Sequence, residues 1–297
     1  MNKIFVIPHL GLGDLLTCNG IYRSLRITYD EVKIAVLKHN IENASLLFHD
    51  DKNITFHPIN EDIDISLLFG CPKEKYDAAT AGYKVINLGL HKHGLSIQNN
   101  KREIIENKKF FDMPFSFYKD AGIPFDHFWE FSYIPTFRKT EDLYHLLHRY
   151  GIHDYIFVHN TASTGEVFSL DYIKKKYNVD PHKTFIVNPC KSMYKQGDKF
   201  YELSNMFLKH RLPYYKMLII HAQKVLVTDS SFMCMSINLP INTNECFIIS
   251  RPYGHGQVTS TIKNGAAHVA LKNAHIWSDK YIFGDYMKRQ KFKEIKL

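Results

Sequence analysis

Short apolar runs alternate along the chain with stretches whose apolar positions recur at helical spacing. Lys3–Pro8 reads as a buried strand, and Val32–Leu37, Ile54–Ile59 and Tyr83–Leu88 read as three more. The turn Gly11–Asp14 leads into a helical pattern over Leu15–Tyr29, in which Leu15, Cys18, Tyr22 and Leu25 share one face. Ile41–Phe48 is a short predicted helix, and the aromatic-rich stretch Lys108–Gly122 is predicted helical in part despite Pro114. The aromatic segment Gly122–Pro135, broken by prolines, closes the first series. A helix over Glu141–Tyr150 then opens a second series. Its strands are Tyr155–His159, Thr184–Asn188, Lys224–Thr228 and Glu245–Ser250, and its helices Lys199–Lys209 and Ser230–Leu239. Two successive alternations of strand and helix predict two α/β domains with parallel sheets.

A length of 297 residues, roughly twice the commonest domain size, agrees with two domains. No apolar run approaches the ~20 residues of a membrane span. Met1–Pro8 is too short for a signal sequence and runs straight into a glycine turn. A cytoplasmic protein with at most peripheral membrane association is therefore expected. The cysteines Cys18, Cys71, Cys190, Cys234 and Cys246 are scattered and odd in number, which argues against a disulfide framework and a zinc ribbon. The net charge of +8 suits nucleic acid, an anionic membrane or a phosphorylated small ligand. Apart from the tail Lys288–Lys293 the basic residues do not gather into one arm, so an anionic substrate is expected and nucleic acid is not.

Open α/β sheets bind ligands at the carboxyl ends of their strands, so the loops after each strand carry the functional information. After the first strand comes Pro8-His9-Leu10-Gly11-Leu12-Gly13-Asp14-Leu15-Leu16-Thr17. The glycines let backbone approach a ligand, and the helix start offers N–H groups to an anion. A Walker loop would need Gly-Lys-Ser/Thr, which is absent. A dinucleotide fingerprint would need a glycine at Leu16 and an acid near the end of the second strand, which ends Leu37-Lys38-His39. Asp14 then reads either as a plain N-cap or as a general base open to a ligand.

In the second series, Val225–Cys234 contains an apolar strand ending in Asp229-Ser230-Ser231, after which a helix begins. Those residues suit a helix cap, a phosphate cradle, or both. Asn160–Glu166 is small and rich in hydrogen-bonding groups, including Ser163 and Thr164. Asn188–Lys195 offers an amide, Lys191, Lys195 and the Tyr194 ring.

Gly11-Leu-Gly-Asp14 after the first strand, with Val227-Thr-Asp-Ser-Ser-Phe-Met233 far downstream, resembles the heptosyltransferase-like GT-B glycosyltransferases. The resemblance spans the order of elements along nearly the whole chain, while literal motifs cover only those two patches. It implies an α/β GT-B-like fold of two Rossmann-like domains facing each other across a cleft. Residues 1–150 would form the acceptor domain and 151–275 the nucleotide-sugar domain, with 276–297 packing back on the first. It implies inverting transfer of a sugar from a nucleotide-sugar to a glycan or other hydroxyl acceptor, with no metal or other cofactor. Asp14 would be the base, and Gly11, Gly13, Thr17 and Asn19 would line the acceptor side. Asn160, Ser163, Thr164, Asn188, Lys191, Tyr194, Asp229, Ser230, Ser231 and Arg251 would hold the donor. Two departures stand out: Cys234 replaces the family's usual histidine, and its lysine near a tryptophan has no counterpart, so heptose is not predicted as the donor sugar.

Other signals point elsewhere. Asp62-Ile63-Asp64 matches the metal-binding Asp-x-Asp of a different glycosyltransferase fold, but a solvated helix start explains it better. His91-Lys92-His93 lacks the helical spacing and acidic partner of a zinc site. No Gly-x-Ser-x-Gly elbow occurs. The alternatives are another Rossmann-type nucleotide-sugar enzyme, an NAD(P)-dependent oxidoreductase, and a non-catalytic nucleotide-binding relative.

Overall fold

The structure is a computed structural model that describes residues 2–9, 11–59, 73–89, 112–161, 167, 169–228, 230–243, 245–249 and 292–294. The chain divides into two compact units, Met1–Pro135 and Thr136–Leu297. Among the described residues no helix is long and apolar enough to cross a membrane.

The first unit is built on a four-stranded sheet, β1 (Lys3–Ile7), β2 (Glu31–Leu37), β3 (Ile54–Ile59) and β4 (Lys84–Asn87), in the order β3-β2-β1-β4. All its pairings are parallel. Parallel strands need crossovers. These are α1 (Leu12–Thr17) with α2 (Asn19–Thr28), then α3 (Ile41–Leu47). Helix α4 (Lys73–Thr80) precedes β4; α5 (Asp112–Ala121) and the short α6 (His127–Glu130) follow it. Ile4–Ile7 of β1 are all buried, as a central strand covered on both faces requires. Phe5, Ile7, Ala35, Leu37 and Ile59 form one of the core clusters.

The second unit carries a five-stranded parallel sheet in the order β6-β5-β7-β8-β9. Its strands are β5 (Tyr155–His159), β6 (Phe185–Val187), β7 (Lys224–Thr228), β8 (Cys246–Ile249) and β9 (Phe292–Glu294). Its helices are α7 (Arg138–Arg149), α8 (Leu170–Tyr177), α9 (Tyr201–Asn205), α10 (Lys216–Ile220) and α11 (Ser231–Ile237).

Most predicted elements form within a residue or two of their expected bounds. Three differences are informative. The pattern over Leu15–Tyr29 starts earlier and breaks at Cys18 into two helices, although Leu15, Cys18, Tyr22 and Leu25 are all buried as that face requires. Helix α7 belongs with the second unit, packing against α10, so the division falls at Pro135 rather than 150. Within 276–297, β9 pairs with β8 through Cys246↔Phe292 and Phe247↔Lys293. The described part of the tail therefore extends the second sheet, where β8 would otherwise end with unpaired backbone groups.

Candidate functional site

Each sheet has one place where the strand order reverses. In the first, β2 lies on one side of β1 and β4 on the other; in the second, β6 and β7 flank β5 in the same way. The carboxyl ends at such a reversal are where open α/β sheets take ligands, because the flanking loops leave in opposite directions and open a crevice. Both sequence motifs map to these positions, and a histidine stands at each.

At the first reversal Asp14 is not the cap of α1. The N-cap is Gly11, with no side-chain cap hydrogen bond, and Asp14 is the third helical residue. Its carboxylate turns back toward the loop and meets His9, with Nδ1 2.8 Å from Oδ2 and side chains 31% and 23% exposed. The turn at Gly11 makes room for this. A Cβ there would lie 2.6 Å from Asp14 Oδ2. The His9 ring stacks on Phe117 of α5, centroids 6.4 Å apart. Beside it the chain leaves β4 through Leu88, whose N–H donates to Ile7 O, and Gly89, whose N–H donates to Asp120 Oδ2. Asn87 ends β4, and its Oδ1 is buried with no hydrogen-bond partner among the described residues.

Thr17 and Asn19, expected on the acceptor side, make hydrogen bonds within the protein. Thr17 Oγ1 donates to Gly13 O within α1. Asn19 is 1% exposed and its amide is spent inside the protein: Nδ2 donates to Tyr133 O, while Oδ1 accepts from Tyr133 N and Arg23 Nε. Arg23 also forks onto Asp50 at 2.8 and 2.9 Å. Asn19 therefore ties α2 to the aromatic segment before Pro135.

At the second reversal His159 closes β5, opposite Val227 of β7. It is 6% exposed, and loss of solvent alone pulls its pKa down to about 4, so the ring is neutral near pH 7. Its Nδ1 lies 3.0 Å from Ser230 Oγ and 3.4 Å from Thr228 Oγ1. Thr228 Oγ1 donates to Thr161 O, and Ser230 Oγ also reaches Thr228 O. The ring lies on Phe232, centroids 4.4 Å apart. Ser230 holds the N-cap position of α11 in an extended conformation without capping it, because its hydroxyl is turned to His159. Ser231 opens the helix.

Asn160 and Asn188 meet, Nδ2 of Asn188 donating to Asn160 Oδ1 at 2.8 Å. Asn188 Oδ1 accepts from Cys190 N and, more weakly, Lys191 N. Asn188 thus shapes the loop after β6 from within. Tyr194 is a correction. It is 8% exposed, stacked on Phe185, and its hydroxyl accepts from Ile186 N and donates to Thr184 O. Burial pushes the phenol up to about 12. It is a core residue because its ring completes the aromatic layer with Phe185 and Phe200.

Ser163, Thr164, Asp229 and Arg251 lie outside the described residues, as do Asp62–Asp64 and His91–His93. Among the described residues no three His, Cys, Asp or Glu side chains form a cluster able to hold a metal ion. His9, His159 and Asn87, which stand at these strand ends, were not singled out from the sequence as candidates. The signal was present for all three, since each stands at or just past the end of a strand already recognised.

The two sheets, their order and their strand-end loops define an α/β protein of the GT-B class. No protein-family model and no curated protein matches the sequence. Among solved structures the chain is similar to a glycosyl transferase of family 9 from Veillonella parvula, at 14% identity and a TM-score of 0.51, covering 92% of this chain and 97% of that one. That likeness carries the fold assignment. Other solved structures include the E. coli ADP-heptose LPS heptosyltransferase II, at 12% identity and a TM-score of 0.48, covering 85% of this chain and 86% of that one. Another is E. coli heptosyltransferase WaaC with ADP, at 12% identity and 0.45, covering 91% and 99%.

Proposed function

We propose that this protein is a glycosyltransferase that moves a sugar from a nucleotide-sugar to a hydroxyl acceptor, with inversion and without a resident metal. The observation that carries the reading is the Asp14 carboxylate. It stands at the reversal point of the first sheet in a GT-B fold, partly exposed and not spent on capping its helix. A carboxylate so placed can take the proton of an attacking hydroxyl.

In this reading the acceptor O–H bond breaks onto Asp14 while the oxygen bonds to the anomeric carbon from the face opposite the donor phosphate. The departing nucleoside diphosphate carries away the electron pair of the broken C–O bond. The second reversal point serves the donor. Its uncharged groups at the ends of β5 and β7, Ser230, Asn160 and the Thr161–Thr228 link, supply the polar surface. Lys191 supplies positive charge from the loop after β6. Ser163, Thr164, Asp229 and Arg251 are assigned to the donor from the sequence pattern. The net charge of +8 favours capture of an anionic donor. The acceptor is a glycan or glycoconjugate, and the compartment is the cytoplasm.

The test is a thermal-shift screen against UDP, GDP, ADP, CMP, their common sugars and NAD(P), followed by transfer assays with Asp14→Asn. One nucleoside diphosphate should raise the melting temperature in a concentration-dependent way. Asp14→Asn should keep that shift and lose about 10²- to 10⁴-fold in transfer. A shift with NAD(P) alone, or a folded Asp14→Asn protein with full transfer, would overturn the reading.

A further inference from the structure

Asp14 does not stand alone. Its Oδ2 is held by His9 Nδ1 at 2.8 Å, and its Oδ1 makes no hydrogen bond among the described residues. The pairing is built from several sides. Gly11 leaves the space through which the carboxylate folds back, Phe117 supports the imidazole face, and the Asp120–Gly89 hydrogen bond anchors α5 beside the loop. Without a partner, a carboxylate on the first turn of a helix turns toward the free N–H groups there. Asp14 makes no cap hydrogen bond there and takes His9 as its side-chain partner instead.

The geometry points to His9 as a positioning residue for Asp14: it holds Oδ2 so that Oδ1 meets the acceptor hydroxyl, and its protonation state sets whether the carboxylate can accept a proton. This rests on the reading of Asp14 as the base. With His9 neutral, Nδ1–H donates to Oδ2, and Oδ1 takes the hydroxyl proton as the new C–O bond forms and the C–O bond to phosphate breaks. When His9 gains a second proton the pair becomes an ion pair, which lowers the basicity of Oδ1. Histidine is the side chain whose ordinary titration falls in this range. The other titratable groups on the elements packed around the pair include Cys18, Tyr22 and, on α5, Lys119, Asp120 and Tyr118, whose phenol burial also drives well above the usual value. Tyr22 is buried, which drives its phenol well above the usual value and keeps it neutral, and Cys18 is buried next to it. Asp120 Oδ2 accepts the Gly89 N–H. His9 is therefore the switchable member of the group.

The experiment uses the full-length chain with His9→Asn, His9→Phe and Asp14→Asn. Release of nucleoside diphosphate from UDP-, ADP- and GDP-hexoses is followed from pH 5 to 9, and ¹⁵N-edited imidazole spectra are recorded over the same range. Asparagine keeps a donor near the Nδ1 position but does not titrate. His9→Asn should stay within about threefold of wild type at pH 8 and move the acid limb down by about one pH unit or more. His9→Phe should lose about tenfold or more in kcat with the donor KM unchanged. The His9 imidazole, assigned by its loss in His9→Asn, should titrate at higher pH in the wild type than in Asp14→Asn. Equal imidazole midpoints, or His9 variants with wild-type kcat and acid limb, would overturn the proposal while leaving Asp14 as the base. Full turnover by Asp14→Asn would instead remove the reading on which the proposal rests. The imidazole titration decides the matter even where none of the three donors turns over.

Discussion

The two reversal points place the same side chain in opposite environments. His9 stands past the end of β1, about one-third exposed and paired with a carboxylate; His159 ends β5, almost fully buried and paired with two hydroxyls. A partly exposed imidazole beside an acid can exchange protons with whatever enters. A buried one among neutral hydroxyls is locked in its uncharged form, because taking a proton there would strand a charge away from water. Under the proposed function the first edge would carry proton transfer and the second would hold the anionic donor with fixed dipoles.

The sharpest way to break this contrast is acid titration of stability. His159 has a folded pKa near 4, below the roughly 6.5 of an unfolded histidine. As pH falls, the unfolded chain takes up the proton first, so its contribution to stability is intact above about pH 6.5 and lost by about pH 4, on the order of 3 kcal/mol. Denaturant unfolding of wild type and His159→Asn between pH 7 and 4 should show that much extra acid sensitivity in the wild type. Equal slopes would mean that the second edge is as wet as the first.

A smaller effect is expected at Gly89, which has φ +66° and where a Cβ would run into the Phe117 ring. Gly89→Ala should cost about 2 kcal/mol through the left-handed backbone and the displaced ring. It should also loosen the wall behind His9, seen as a fall in both melting temperature and transfer. Gly11→Ala should separate chemistry from stability. Its backbone is ordinary for any residue, with φ −62°, and the added methyl meets only the end of the Asp14 side chain. Transfer should fall about tenfold, worth about 1.4 kcal/mol of barrier, with a melting temperature within about 2 °C of wild type. A Gly11→Ala enzyme with full activity would show that the Asp14–His9 contact is dispensable. The smallest effect is expected for Ser230→Ala, which removes one neutral partner of His159 and should cost about 1 kcal/mol of stability.

Much of the fold is legible in the residues. Buried central strands such as Phe5–Ile7 and Ile156–Val158 are continuous apolar runs, and these runs located the sheets. The loops that matter were legible too, since ligand sites in such folds sit at strand ends. Individual roles were less so. Tyr194 sits in a loop rich in amide and lysine groups and reads as a ligand contact, yet its ring has a larger apolar surface to bury against Phe185 and Phe200. Asn19 reads as part of the glycine-loop helix, yet its partner is Tyr133, 114 residues away. Local pattern carries no information about a pairing at that separation.

By itself the sequence determined the α/β class, the division into two series and the loops at which chemistry would gather, because burial imposes its period on the chain wherever a strand or helix faces a core. Only the tertiary structure decided which side chains in those loops meet. That Asp14 turns from its helix end to His9, and that His159 is sealed beneath Ser230 and Phe232, follows from strand order and loop path. Hydrogen bonds reach about 3 Å, far less than the uncertainty in where a loop carries a side chain before the sheet that anchors it is assembled.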